Sequence, residues 1–159
     1  MNEPGPRAEL RDLRMRAVAL LARREHSRAE LARKLAAHGT QEDVDNVLCQ
    51  MENEGLLSNA RAAAAYVRAH GDRFGAARLR QNLHQRGLDL AMAAEAVDDL
   101  ASELERARMI WVKKFAAAPV DAREWARQAR FLQGRGFAVD VIRKLLKNPG
   151  GPAGEDAGA

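Results

Sequence analysis

The sequence predicts an all-α protein built from three tandem three-helix repeats that stack into an elongated, curved molecule. A Leu four residues before a Gly occurs three times, at Leu35, Leu83 and Leu132, and the three glycines lie 48 and 49 positions apart. A period of this length is typical of an array of helical units. Aromatic residues make up only 4% of the 159 residues, and no run of alternating β-branched residues indicates a strand.

The repeat divides the chain into segments with predicted boundaries. The tail, "NPGGPAGEDAGA", has too few apolar residues to form a core, and we expect it to be disordered. The predicted segments are an N-terminal extension (1–12), unit 1 (13–57), unit 2 (58–100), unit 3 (101–147) and the tail (148–159).

Unit 1 begins with a helix at 10–24, where apolar residues recur at helical spacing. Ser27, with Glu30 three residues later, forms a capping-box pattern that predicts the start of a second helix. That helix should end at Gly39, because glycine readily adopts the left-handed conformation after a helix. Thr40 can then cap a third helix. The predicted buried faces of these two helices comprise Leu31, Leu35, Val44, Val47, Leu48 and Met51.

Units 2 and 3 repeat this plan. In unit 2 we expect helices at 59–70 and 76–86, a stop at Gly87, and a third helix capped by Asp89. In unit 3 the first helix should begin near Ser102. The second should begin at a capping box formed by two acidic residues and end at a glycine. The markers of that second helix are Asp121, Glu124 and Gly136, and the last helix should bury Val141, Ile142, Leu145 and Leu146.

The charge is distributed unevenly along a chain whose net charge is +4. Segments 41–54 and 89–105 contain acidic residues but neither Lys nor Arg. Segment 74–86, in contrast, contains Arg but no acidic residue. Segment 106–147 carries 11 basic residues against three acidic ones. Helix dipoles account for some of this pattern, but the excess in unit 3 favours contact with phosphates or an acidic protein surface. The candidate contact residues are Arg23, Arg24, Arg78, Arg80, Arg86, Lys113, Lys114, Arg130 and Arg135.

The sequence offers no catalytic set, so we expect neither an enzyme nor a bound cofactor or metal. The hydroxyl residues are Thr40 and three serines, and two of these four are predicted helix caps. The four histidines show no metal-ligand spacing. Cys49 lies among apolar residues of a predicted helix, where a packed thiol is the favoured interpretation. The "GRG" at 134–136 follows no strand and is not a phosphate loop.

Aromatic residues of unit 3 allow two interpretations. Trp111, Trp125, Phe131 and Phe137 could stack on nucleic-acid bases. However, Trp125 shares a predicted helix face with Leu132, which favours core packing, and Phe137 is expected to pack between helices.

The remaining global features suggest a cytoplasmic monomer. No window approaches the length and hydrophobicity of a membrane span, and the N-terminus lacks the apolar region of a signal peptide. The single cysteine excludes a disulfide framework and suits a reducing compartment.

Four stretches in order carry a family resemblance: "ALLARREHSRAELARKLAAHG", "EGLLSNARAAAAYVRAH", "FGAARLRQNLHQRGL" and "RFLQGRGFAVDVIRKLL". They resemble the RecX family, regulators of the RecA recombinase, over about residues 13–147. The resemblance implies a curved array of three-helix units that binds in the helical groove of the RecA–DNA filament and inhibits ATP hydrolysis and strand exchange. Ala62 departs from the family pattern, which usually has Phe there, so no core role is carried over to it.

Two functions therefore remain for comparison. The first is a regulator that binds RecA and the RecA–DNA filament, and the second is an autonomous DNA-binding protein with helix–turn–helix-like units. Salt distinguishes them, because binding to naked single- or double-stranded DNA should weaken steeply as counterions are added.

Overall fold

The computed structural model describes residues 5–148, and within them nine helices and no strand are present, which confirms the all-α prediction. No helix in this part of the chain is long and apolar enough to cross a membrane. The helices are α1 (Pro6–Arg23), α2 (Arg28–Leu35), α3 (Gln41–Asn53), α4 (Asn59–His70), α5 (Ala76–Gln85), α6 (Leu90–Asp98), α7 (Glu103–Lys114), α8 (Ala122–Gly134) and α9 (Val139–Lys147).

The first helix begins earlier than the predicted start at residue 10. Helix α1 begins at Pro6, so most of the predicted extension at 1–12 is helical. A proline in the first turn and Glu9 shortly after it both favour a helix N-terminus there. Asn148 is the C-cap of α9. The predicted disordered tail from 149 onward lies outside the described residues.

Side-chain caps fix several helix starts as predicted. The Ser27 hydroxyl accepts from the Glu30 N–H at 3.1 Å, and the Glu30 carboxylate accepts from the Ser27 N–H at 2.9 Å, so the capping box is complete. Thr40, Asp89 and Ser102 cap α3, α6 and α7. At α8, the Asp121 Oδ1 atom caps the helix by accepting from the Glu124 N–H at 2.8 Å.

The predicted capping box at α8 forms only one of its two hydrogen bonds, the one that Asp121 accepts. The Glu124 carboxylate accepts from the N–H of Val120 at 3.2 Å, one residue before the cap. The side chain of Glu124 therefore stabilises the approach to the helix rather than the N–H of Asp121.

The predicted role of Gly39 is wrong. The described glycines with positive φ are Gly55, Gly87 and Gly136, and α2 already ends at Leu35. A Cβ atom at Gly39 would lie 3.1 Å from the Leu13 Cδ2 atom. Gly39 therefore permits the close approach of α1 rather than a left-handed turn.

Each set of three helices encloses its own apolar core. The first core forms from α1–α3, the second from α4–α6 and the third from α7–α9. Leu35, Leu83 and Leu132 are at most 1% exposed, each in the second helix of its set, as predicted. The names unit 1, unit 2 and unit 3 are kept below for these sets, while the boundaries given above stay predictions.

Two side chains that were predicted to be packed are exposed instead. Trp125 is 38% exposed, because the buried residues of α8, Gln128 and Leu132, lie further along the helix. Cys49 is exposed because the buried face of α3 is formed by residues on either side of it. By contrast, Phe137 is buried in the third core, as predicted.

Candidate partner-binding grooves at the unit junctions

The first junction, between units 1 and 2, is made largely by side chains. The Ser27 hydroxyl donates to the Arg86 carbonyl at 2.5 Å, and the Arg28 N–H donates to the Asn59 Oδ1 atom at 2.8 Å. Arg33 donates to the carbonyl of Gln85 at 3.3 Å. The N-terminus of α2 therefore packs against the C-terminal end of α5.

An ion-pair cluster completes this junction. Glu30 pairs with Arg86 at 2.6 Å and with Arg24 at 3.2 Å. Burial alone would raise the pKa of Glu30, but hydrogen bonds from the Ser27 N–H and from Arg24, together with the charges of both arginines, lower it below its ordinary value. Glu30 therefore remains ionised and holds the two units together.

A groove of about 630 Å³ opens beside this cluster. The Tyr66 ring stacks on the His70 ring with their centroids 4.2 Å apart, and the Arg86 guanidinium lies 4.5 Å from the centroid of Tyr66. The groove therefore combines cations with aromatic rings. We call it the first groove, and its residues include Arg24, Arg33, Arg73, Arg86, Tyr66 and His70.

The second junction, between units 2 and 3, contains direct backbone hydrogen bonds. The N–H groups of Gly75 and Ala77 donate to the carbonyls of Arg135 and Gly136 at 2.7 and 3.3 Å. Helix α5 has no side-chain cap of its own from Gly75. The carbonyl oxygens of unit 3 instead accept from the N–H groups at the start of this helix. The N-terminus of α5 therefore packs against the C-terminal end of α8.

A second groove of about 330 Å³ lies beside this junction. The ring of Phe131 lies under two cations, with the Arg135 Cζ atom 5.2 Å and the Lys114 Nζ atom 5.8 Å from its centroid. Lys113 also lines this second groove. Arg73 lines both grooves, so the two basic surfaces meet at its side chain.

Comparisons with known proteins identify the family of this two-groove molecule. Models of the first and third three-helix domains of RecX match residues 14–48 and 101–146. The regulatory protein RecX of Leptothrix cholodnii is 49% identical over 137 residues, which cover 85% of this chain and 87% of that protein. The chain belongs to the RecX family.

Other RecX proteins agree with this assignment. The regulatory protein RecX of Ralstonia nicotianae is 42% identical over 145 residues, covering 89% of this chain and 90% of that protein. The corresponding protein of Pseudomonas savastanoi is 44% identical over 144 residues, which cover 87% of this chain and 92% of that protein. The RecX family consists of regulatory proteins, so this chain is a regulator and not an enzyme.

Solved structures share the fold. A crystal structure of regulatory protein RecX superposes with a TM-score of 0.76 at 20% identity, covering 89% of this chain and 74% of that one. The crystal structure of RecX from Lactobacillus salivarius gives the same TM-score at 17% identity, covering 88% of this chain and 96% of that one. The RecX-type array of three-helix units is therefore the fold of this chain.

The structure brings together five of the nine predicted contact residues in the two grooves of this RecX-family chain. Arg24 and Arg86 line the first groove, and Lys113, Lys114 and Arg135 line the second. Because Arg86 is paired with Glu30, its charge is largely used within the protein. The groove cations therefore have unequal roles.

The other four predicted residues lie elsewhere. Arg130 lines a separate pocket of unit 3 together with Arg123 and Arg127. Arg78 packs at the second junction, where it donates to the Gly134 carbonyl at 3.4 Å. Arg23 and Arg80 line neither groove.

The sequence reasoning missed Arg33 and Arg73. Arg73 adjoins Asp72, which excluded it from the acid-free segment that was counted from residue 74. The available signal was its place in a short turn between two glycines, Gly71 and Gly75, because such turns often carry binding residues. Charge counting alone does not detect a residue of this kind.

The chemistry of the grooves is that of anion binding. Within residues 5–148, no group of three or more His, Cys, Asp or Glu side chains could hold a metal ion. Arginine guanidinium groups bind phosphate or carboxylate oxygens in pairs of parallel hydrogen bonds. Two cation-rich grooves one unit apart can therefore contact a polyanion or an acidic surface at two successive points.

Proposed function

We propose that this chain, a RecX-family regulator and an inhibitor of RecA, binds in the helical groove of the RecA–DNA filament with its two basic grooves facing the filament. The observation that carries the proposal is the recurrence of a cation- and ring-lined groove at both unit junctions. Stacked repeats present contacts at regular intervals, which suits a partner that is itself a repeating polymer.

Inhibition by this route requires no chemistry from the bound chain. A ligand that binds one state of the filament more tightly than another shifts the filament toward that state. By bridging neighbouring RecA protomers, the chain hinders the movements that ATP hydrolysis and strand exchange require. We infer that it acts as a monomer, since each molecule has two grooves of its own, and that it does so in the cytoplasm.

A titration of RecA activity tests this function. RecA from the organism that encodes the chain is assayed for single-stranded-DNA-dependent ATP hydrolysis while the chain is added. We expect inhibition at amounts well below one chain per RecA, because one bound chain bridges several protomers. Undiminished hydrolysis and strand exchange at equimolar chain would contradict the proposal.

Direct binding to naked DNA is the second candidate. It is favoured by the aromatic rings that lie among the cations in both grooves, because single-strand binders combine these two features. Affinity for a bare oligonucleotide would then fall steeply with salt. Tight oligonucleotide binding without any effect on RecA would favour this candidate over filament inhibition.

A further inference from the structure

Arg73 occupies a singular position where the two grooves meet. It lies in the turn between α4 and α5 and lines both grooves. Its side chain is exposed and forms no hydrogen bond or ion pair with another residue of the described chain. Arg86, in contrast, is held by Glu30. The charge of Arg73 is therefore available to a ligand that lies in either groove.

The turn that carries Arg73 is held by a different unit. The Arg106 guanidinium donates to the carbonyl of Gly71 at 3.1 Å and to that of Phe74 at 2.7 Å. These two carbonyls flank Arg73 in sequence, one on each side. Arg106 belongs to α7 of unit 3, so unit 3 fixes the conformation of a turn in unit 2.

A second residue of α7 reinforces this hold. The Glu103 carboxylate accepts from the Ala76 N–H at 3.1 Å, at the start of α5. The Arg73 turn is thus bracketed by two side chains one helical turn apart on a single helix.

Arg106 has the properties of a positioning residue rather than of a ligand contact. Its side chain is 7% exposed, and burial lowers its pKa, while the nearby charge of Glu103 opposes the change. A third hydrogen bond goes from its Nε atom to the Ala101 carbonyl at 3.2 Å. A buried cation is costly and its hydrogen bonds go to carbonyls, so its evident role is to fix the backbone.

We propose that Arg73 is the shared contact through which one single-stranded DNA segment occupies both grooves, its phosphates bound by Arg73 and neighbouring cations, and that Arg106 positions Arg73 for this contact. The proposal rests on the proposed function, since it names the part of the filament that the grooves meet. Rings lie among the cations in each groove, Tyr66 and His70 in the first and Phe131 in the second. This combination favours a nucleic-acid strand over an acidic peptide.

The first test measures the affinity of Arg73→Ala for a fluorescent single-stranded oligonucleotide as a function of salt. Loss of one phosphate contact should weaken binding several-fold and lower the slope of log affinity against log salt by about one unit. Arg68→Ala is the matched control, because Arg68 is an exposed arginine of α4 that lines neither groove. Equal effects of the two variants would overturn the proposal.

The second test separates positioning from stability. Arg106→Met and Arg106→Lys are measured at a temperature at which circular dichroism shows that they are folded. Arg106→Met should reproduce the lower salt slope of Arg73→Ala although residue 106 is buried, and adding Arg73→Ala to it should have little further effect. Arg106→Lys should fall between Arg106→Met and the unaltered protein.

Other results would overturn the positioning role. A folded Arg106→Met with the salt slope of the unaltered protein contradicts it, as does a double variant in which the two losses add. If Arg106→Met does not fold, the same criteria apply to Arg106→Lys.

Parallel RecA ATPase assays separate this inference from the proposed function. If the unaltered chain inhibits RecA but does not bind the oligonucleotide, the phosphate site is wrong while the function stands. If Arg73→Ala loses oligonucleotide binding, the site is supported whether or not RecA is inhibited. Displacement of the oligonucleotide by polyglutamate at lower charge concentration than by unlabelled DNA would overturn the choice of nucleic acid.

Discussion

The two junctions stack equivalent helices with different chemistry. At the first, Glu30 bridges to Arg86, and the side chains of Ser27 and Arg33 donate to carbonyls at the end of α5. At the second, backbone N–H groups of α5 donate directly to the carbonyls of Arg135 and Gly136. Ion pairs weaken with added salt and with acid, whereas backbone hydrogen bonds respond little to either. The Glu30 ion pairs should therefore respond to salt and acid more strongly than the backbone hydrogen bonds of the second junction.

The glycines of the two junctions show the same contrast. Gly87 and Gly136 both have positive φ, of 81° and 91°. A Cβ atom at Gly87 would lie 2.3 Å from the Ala29 Cβ atom, which is side chain. At Gly136 it would lie 2.3 Å from the Arg78 Cβ atom and 2.6 Å from the Arg78 backbone nitrogen. The backbones therefore approach more closely at the second junction, since the nearest backbone atom to a Cβ at Gly87 is the Ala29 Cα atom at 3.8 Å.

The largest expected effect comes from breaking that backbone contact with Gly136→Ala. The left-handed conformation alone costs an alanine about 1–2 kcal/mol, and the clash with the Arg78 backbone adds to this. We expect a loss of at least about 2 kcal/mol in the free energy of unfolding, measured by chemical denaturation.

Two glycines serve as controls for this variant. Gly55 also has positive φ, but nothing lies within 4 Å of its Cβ position, so Gly55→Ala measures the conformational cost alone. Gly134 has neither feature and ends α8, so Gly134→Ala should be neutral or slightly stabilising. Equal losses for Gly136→Ala and Gly55→Ala would show that the backbones are not in close contact.

The next effect comes from Glu30→Gln at the first junction. Glutamine preserves the capping hydrogen bond to the Ser27 N–H but removes the charge that binds Arg86 and Arg24. We expect a loss of about 1–2 kcal/mol that shrinks at high salt. Glu95→Gln, in the exposed face of α6, is the control. The ion-pair account fails if both variants lose the same stability at low salt.

The pH dependence sharpens the same comparison. Because the folded-state pKa of Glu30 is lowered from 4.5, its ionised form stabilises the protein above that pH, and the contribution is lost as pH falls through the lower folded value. Below pH 4.5 the unaltered protein should therefore lose more stability than Glu30→Gln does. Parallel unfolding curves for the two proteins across this range would contradict the assignment.

The smallest expected effect is that of Arg61→Ala, which removes a second ion pair across the first junction. Arg61 and Glu25 are 3.0 Å apart, but their side chains are 48% and 32% exposed. Exposed pairs contribute under about 1 kcal/mol. Thermal denaturation should therefore show a smaller shift than for Glu30→Gln, and a larger one would mean that exposed contacts dominate this junction.

Local signals in the sequence predicted most of the fold. Capping residues such as Ser27 and Thr40 act on the next few residues, and the buried leucines follow from helical periodicity. Trp125 was predicted wrongly because periodicity gives the face of a helix but not how far the neighbouring helices extend along it. Gly39 was predicted wrongly because its constraint comes from Leu13 in another helix.

The candidate site was harder to predict for the same reason. Arg73 matters because α2, α5, α7 and α8 bring two grooves together beside one turn. Arg106 is one of the 11 basic residues of segment 106–147, and charge counting does not reveal that it is buried at the second junction. Both roles depend on how units stack, which no short segment of sequence encodes.

Co-sedimentation with RecA–DNA filaments tests most directly whether the junction grooves bind the filament. The double variant Arg73→Glu with Arg135→Glu reverses cations in the grooves, and Arg123→Glu with Arg130→Glu makes the same change in net charge in the separate pocket of unit 3. The account predicts that the groove variant binds filaments at least about tenfold more weakly and that the other variant binds as the unaltered protein does. Equal binding by the two variants would contradict it.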